Sequence, residues 1–301
     1  MKVRIGFGFG VRTKLNDDGF GVVVDALERL RFDSLWLSER IGGDAPDPLV
    51  AMSFAAGRTK RLKFGMSVMV LPGRNPIVLA KELATLDRLS NGRLLPAFGL
   101  GVADPHEQQA FGVERKDRAK IFDEALTVMR ACWTDDEVTF HGERFHYERL
   151  RVRPKPKQQP LEVWLGGIAP SELKRVGRLA DGWLPSFVTP ADVAAARPII
   201  EQVAREHDRE VPGDHFGALI PYSHSALPDA VLAGFAARRP DLTDVAALVP
   251  RGFDQLLALI DRFVDEGTTK FVVLPINEPE GPDGWISELE SAATSLLPRQ
   301  T

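Results

Sequence analysis

Residues 62–101 constrain this chain more than any other stretch, because they hold a complete strand–helix–strand unit. Leu62–Leu71 is apolar almost throughout, the pattern of a strand covered on both faces in a parallel sheet. After a Pro-Gly turn, Pro76–Leu89 sets Ile77, Leu79, Ala80, Leu83, Ala84, Leu86 and Leu89 along one broad face. Pro76 falls in the first helical turn, where proline is tolerated. Gly92, in Ser90-Asn91-Gly92, supplies the left-handed residue that ends the helix, and a new strand starts at Arg93. This is a βαβ unit, the building block of parallel α/β enzymes.

The unit repeats along the chain. Val3–Gly10, Ser34–Ser38, Leu62–Leu71, Arg93–Val102, Glu162–Leu165, Trp183–Phe187, Gly217–Tyr222 and Thr269–Pro275 read as strands. Helices are expected over Asp18–Arg31, Pro48–Arg58, Pro76–Leu89, Lys116–Trp133, Pro170–Ala180, Pro190–Asp208 and Phe253–Glu266, with a last one closing the chain. Residues 134–160 read as an irregular arm ending in PKPKQQP. Eight such repeats fit a single α/β domain over residues 1–301, a closed (β/α)8 barrel, better than two dinucleotide-binding halves. GFGFG at Gly6–Gly10 lacks the GxGxxG spacing and lies inside a strand. Ser223–Gly252 is too long for an ordinary loop and is expected to fold as a helical insertion over the barrel mouth.

Composition narrows the function classes. A formal charge of −4 with no basic cluster gives no basis for a nucleic-acid or anionic-membrane partner. One cysteine, Cys132, rules out an internal disulfide and points to a structural thiol in the helix around it. MKVRIGFGFG reads as a strand rather than a signal peptide, and no apolar run approaches a membrane span, so a cytoplasmic location is expected. No HExxH, CxxC or carboxylate cluster suggests a metal, and no GxSxG suggests hydrolysis.

In barrels of this kind the chemistry sits at the C-terminal ends of the strands. That leaves Phe7 and Gly8, Ser38-Glu39-Arg40, Ser67–Arg74, Gly99–Asp104, Gly166–Ser171, Ser186, Tyr222 with His224, and Asn277-Glu278. In Gly166-Gly167-Ile168-Ala169-Pro170-Ser171, two glycines allow a tight turn, and the free N–H groups of the helix that follows attract an anion. A phosphate cradle and a plain turn with a helix cap are both open. Glu39-Arg40 either orients a substrate or forms a structural ion pair at the rim. Of the six histidines, His141, His146, His207 and His215 lie in polar stretches and read as surface groups, His106 follows strand four, and His224 is the best candidate for proton transfer. Trp36, Trp164 and Trp183 read mainly as core.

The run of Pro72, Arg74-Asn75-Pro76, Leu79-Ala80-Lys81, Ala84-Thr85-Leu86-Asp87 and Ser90-Asn91-Gly92-Arg93 resembles the third and fourth barrel strands of the luciferase-like flavin and deazaflavin oxidoreductases. Phe32-Asp33-Ser34-Leu35-Trp36, Gly166-Gly167 and Ala180-Asp181-Gly182-Trp183 extend the resemblance in the same order. What it implies is hydride transfer between the deazaflavin coenzyme F-420 and a small organic substrate. The alternatives are a reduced-flavin monooxygenase using FMN and a non-catalytic cofactor-binding barrel. The resemblance places a non-prolyl cis peptide at Ser67-Val68, propping the cofactor ring, and the cofactor phosphate at the Gly166-Gly167 turn. Phe7, Ser38, Gly99, Ile168 and Ser171 complete the expected cofactor contacts. Two positions depart from the pattern. Arg40 stands where many relatives have a histidine, and Arg40 cannot act as an acid or base near neutrality. Leu100 stands where flavin-binding luciferases carry a phosphate-binding arginine. Relatives pair through the helices matching Pro48–Arg58 and Pro76–Leu89, so a homodimer is expected.

Overall fold

A computed structural model describes residues 2–15 and 18–301. Its strands are β1 (Arg4–Phe9), β2 (Ser34–Leu37), β3 (Lys63–Met66), β4 (Met69–Val70), β5 (Leu94–Leu95), β6 (Ala97–Gly99), β7 (Val138–His141), β8 (His146–Leu150), β9 (Trp164–Leu165), β10 (Gly182–Trp183), β11 (Gly217–Tyr222) and β12 (Lys270–Pro275). The helices are α1 (Asp18–Leu30), α2 (Pro48–Arg58), α3 (Pro76–Leu89), α4 (Pro105–Phe111), α5 (Arg118–Thr134), α6 (Pro170–Leu179), α7 (Pro190–Glu206), α8 (Asp229–Arg238), α9 (Gly252–Asp265) and α10 (Gly281–Leu296).

Two parallel sheets share the barrel wall: β11-β12-β1-β2-β3-β5 and β10-β9-β6-β4. The third and fourth barrel strands each run through both sheets. The third is interrupted at Ser67-Val68, whose peptide bond is cis, between β3 and β4. The fourth is interrupted at Pro96, which has no N–H for the ladder while its carbonyl accepts from Trp164 at 2.8 Å. Single parallel bridges at Trp183–Phe216 and Ser186–Leu219 join β10 to β11 and close the ring. The eight-stranded barrel is therefore the expected one, with its third and fourth strands each split in two.

Strand alternation sorts the core into two layers. Trp36, Leu95, Ala97, Trp164, Leu184 and Val272 pack together inside the barrel, with Val68 and Leu219 against them. The tryptophans fit because glycines face them. A Cβ on Gly65 would meet the Trp36 ring at 2.4 Å, and one on Gly182 would meet Trp164 at 2.5 Å. Residues of opposite parity face the helices. Phe7 and Phe9 stack edge-on against Phe32 and Trp285 in that outer layer. At the N-terminal end Lys270 donates to Asp33 at 2.6 Å, and Lys63 lies 3.4 Å from the other carboxylate oxygen.

Two segments depart from the sequence reading. Residues 134–160 are not irregular throughout: β7 and β8 form an antiparallel hairpin. Beyond it the arm is clamped by the buried Asp87 carboxylate, which accepts from Lys157 N at 2.7 Å and Gln158 N at 2.8 Å. The 223–252 insertion folds as expected into α8 and a 3-10 turn at Val245–Leu248. Phe235, Leu248 and Val249 bury together there, and Phe187 packs 5.1 Å from Phe235 across the end of the sixth strand.

Candidate active site

Above the tryptophan layer a cavity of about 160 Å³ opens in the barrel. Ser67, Val68, Gly99, Gly166, Gly167 and Ser186 form much of its wall, with Phe98, Leu100, Phe122, Leu165, Leu184 and Leu219 as the apolar remainder. Its glycines are needed for space. A Cβ on Gly99 would meet Val68 Cγ2 at 2.5 Å, and Gly167 holds φ +90°, a conformation that side chains rarely adopt. Ser38 joins this level: its hydroxyl lies 3.3 Å from both the Ser67 carbonyl and the Ser67 hydroxyl.

Behind the Ser67-Val68 bulge stands Glu39. Its side chain is only 4% exposed and forms an ion pair with Arg74. One oxygen accepts from Val70 N at 2.7 Å, and Arg74 Nε donates to the Val70 carbonyl at 2.9 Å. Burial raises the Glu39 carboxyl above its usual range, against the pull of the Val70 N–H and Arg74. Glu39 thus braces the segment that carries the bulge and does not line the cavity. Arg40 leaves the site too, donating to Asp104 at 2.9 Å. The buried Glu107 accepts from Ile41 N and Gly42 N at 3.4 and 3.3 Å, which ties the loop after β2 to α4. Glu39 and Arg40 thus pair with Arg74 and Asp104 respectively.

His224 and Phe7 were expected at the site, and the structure places neither in the cavity wall. His224 Nε2 contacts both Glu288 oxygens, at 3.0 and 3.1 Å, and its ring packs 5.0 Å from Phe253. Tyr222 donates to the same carboxylate, so the group belongs to the helix layer outside β11. Phe7 misses the mouth by one step of the strand period, which puts Gly6 and Gly8 inside and its ring outside. His215, expected at the surface, is buried and holds the Asp181 carbonyl through Nδ1 at 2.8 Å.

The Gly166-Gly167 turn differs from a bare cradle. Ala169, at the N-terminus of α6, has no side-chain acceptor, so Glu172 reaches back one turn. Its Oε2 accepts from Ile168 N at 3.1 Å and Ala169 N at 3.0 Å. Two of the amides expected to be free for an anion are therefore occupied. Ser171 is exposed on α6, while the Trp183 indole donates to the Gly167 carbonyl at 2.9 Å and fixes the turn from behind. The cationic group at this end of the cavity is Arg175, which the sequence reading missed. It is 8% exposed, lies over the Phe122 ring and donates through Nε to Asp123 at 2.6 Å. Arg178 donates to the other Asp123 oxygen at 2.7 Å. A signal was present, since Arg175 lies between the core positions Leu173 and Val176 in a strongly two-faced helix.

A closed parallel barrel with a cavity at the C-terminal ends of its strands places its open space where barrels of this kind build their sites. The chain belongs to the luciferase-like monooxygenase family, whose model matches residues 20–249. Among curated proteins it is similar to F-420-dependent glucose-6-phosphate dehydrogenases. That of Amycolatopsis mediterranei is 34% identical over 167 residues, 52% of this chain and 50% of the relative. That of Gordonia bronchialis is 30% identical over 222 residues, 69% of this chain and 64% of the relative. The chain spans about half to two-thirds of the length of these relatives. Two solved structures share the fold. A monooxygenase from Streptomyces bottropensis has a TM-score of 0.81 at 19% identity, covering 98% of this chain and 99% of that one. An F-420-dependent secondary alcohol dehydrogenase has a TM-score of 0.79 at 21% identity, covering 98% of each.

Proposed function

We propose that this protein is an oxidoreductase that transfers a hydride between coenzyme F-420 and a small organic substrate in the cavity above the tryptophan layer. The observation that carries the reading is the build of that cavity. Glycines and serines stand among apolar side chains around a slot, and a buried arginine stands at one end. The site fits a deazaflavin on three counts. Val68, Leu165, Leu184 and Leu219 offer apolar surface for a flat ring. Gly99 and Gly167 admit no side chain into the slot, since a Cβ there would meet Val68 at 2.5 Å and Glu172 at 2.4 Å. Arg175 supplies positive charge for a phosphate where Leu100 replaces an arginine on the fourth strand. The curated relatives named for F-420 support the same cofactor.

When bound, the cofactor supplies the hydride chemistry; the chain binds, orients and excludes water. Ser67, Val68, Gly99, Gly166 and Gly167 form the ring and turn contacts, and Ser38 fixes the Ser67 carbonyl. Glu39 with Arg74 is a positioning pair for the bulge, and Arg40 with Asp104 and Glu107 holds the rim loop. The insertion around α8 packs against Phe187 and Ile276 at the ends of the sixth and eighth strands, where it would limit solvent access to the mouth.

Titration by fluorescence quenching tests the cofactor: F-420 is expected to bind more tightly than FMN, and tenfold tighter FMN binding would overturn the choice. Turnover with a panel of alcohols and sugar phosphates tests the activity. Pairing into a homodimer through α2 and α3 belongs to the same reading. Val50, Phe54, Val78 and Leu89 on these helices are exposed, Leu89 at 79%, and offer apolar surface to a partner copy. Light scattering is expected to give twice the 33.2 kDa chain mass, and a monomer mass would refute the pairing. Among the described residues no helix is long and apolar enough to cross a membrane.

A further inference from the structure

On the functional reading above, the Gly166-Gly167 end of the cavity receives the phosphate of the ligand. Two arginines and two carboxylates meet there. Arg175 and Arg178 share Asp123, at 2.6 and 2.7 Å. Glu172 stands apart from that pair: it lines the cavity, and its hydrogen-bond partners are the Ile168 and Ala169 amides, at 3.1 and 3.0 Å. The groups that would otherwise hold an anion therefore already hold a carboxylate.

We propose that Glu172 is a specificity-determining residue that selects a singly charged phosphodiester over a phosphomonoester. A phosphate entering this end either displaces the carboxylate into the cavity beside it or stops short of the amides. In both cases the phosphate lies near a negative charge that no arginine of its own neutralises, and the repulsion grows with the phosphate's charge. A phosphomonoester carries about −1.5 to −2 at neutral pH, with a second pKa of about 6. A phosphodiester carries one charge at any pH above its low pKa. FMN is a monoester and F-420 a diester, so Glu172 penalises FMN more heavily. The single charge of a phosphodiester is repelled least, and Arg175 at the same end of the cavity can balance it.

Glu172→Gln tests this, because the amide oxygen still accepts from Ile168 and Ala169 while the charge is gone. Dissociation constants for F-420, FMN and riboflavin are measured by fluorescence quenching on wild type and variant. FMN is expected to bind about tenfold tighter to the variant, F-420 no more than about threefold tighter, and riboflavin unchanged. Equal gains for FMN and F-420, or no gain for FMN, would overturn the proposal. A measurement on the wild type alone gives a second check. Lowering the pH from about 7.5 to about 5 turns FMN largely into a monoanion, so its affinity relative to F-420 should rise; an unchanged ratio would also overturn it. Failure of the wild type to bind F-420 at all would overturn the functional reading and this inference together. F-420 binding with an unresponsive ratio would overturn the inference alone.

Discussion

At the floor of the barrel Lys270 is 1% exposed and its ammonium meets the Asp33 carboxylate at 2.6 Å, with Trp36 beneath it at 5.4 Å. At the mouth, on the other side of the tryptophan layer, Arg175 is nearly as buried, yet it lines an open space. Both ends hold a buried cation paired to a carboxylate. The floor leaves no room beside its pair: Ser34 donates to Asp33 at 3.0 Å, and the Trp36 indole donates to Ser34 at 2.9 Å. At the mouth Arg175 borders the cavity instead. Buried charge by itself does not mark function; what distinguishes the two ends is unfilled volume next to the charge.

The largest expected effect separates the ends by stability. Asp33→Asn leaves Lys270 buried without its countercharge and should cost about 3–5 kcal/mol in urea or thermal unfolding. Its cofactor affinity should stay within twofold, and a large loss of affinity would erase the division. The converse change at the mouth is Arg175→Met, which keeps Asp123 paired to Arg178. It should weaken F-420 binding by about 1.5–3 kcal/mol, roughly 10- to 100-fold, the usual worth of a hydrogen bond to a charged group. Stability should change far less than in the floor variant.

A pH experiment sharpens the contrast. Burial alone would raise the Asp33 carboxyl, but Lys270 and Lys63 hold it well below the usual carboxylate range. Its folded pKa is depressed, so its stabilisation is complete above the unfolded value of about 3.9 and is lost as the pH falls below it. Wild type should therefore lose more stability than Asp33→Asn between about pH 5 and pH 2; parallel acid limbs would contradict the assignment. The smallest effect is expected for His224→Ala. His224 is half-exposed and its partner Glu288 lies in the outer helix layer. Stability should fall by no more than about 1 kcal/mol and turnover should stay within a few-fold. A hundredfold loss of turnover would put this histidine at the reacting atoms after all.

Much of the frame was legible because burial writes a periodic pattern. The apolar runs at Val3, Leu62 and Gly217 and the proline-led helices at Pro48, Pro76, Pro170 and Pro190 all lie in the elements expected of them. The β7–β8 hairpin was not legible, since VTFHGERFHYERL alternates over two largely exposed faces and buries little of either. Phe7 and His224 lie away from the cavity wall for a different reason. A strand's end is readable, but which of two adjacent residues points inward depends on how the barrel closes. Glu172 was readable in principle: an alanine cannot cap a helix, and a glutamate three residues later can. Arg175 needed the tertiary structure, because only the position of Asp123 and Phe122 on α5 shows that it faces a cavity.

Splitting the third and fourth strands has a consequence for how this barrel can change over time. Ser67, Val68, Gly99, Leu165 and Gly166 all sit on or beside the four-stranded arc β10-β9-β6-β4, whereas Asp33, Lys63 and Lys270 belong to the six-stranded arc. The two arcs share the covalent chain at Ser67-Val68 and Pro96 but divide the ladder between them. Leu219 on β11 aside, substitutions that recut the slot for another occupant can thus accumulate along one arc, while the charged floor and its neighbours keep their sequence. The barrel is in this sense a fixed base with an exchangeable rim.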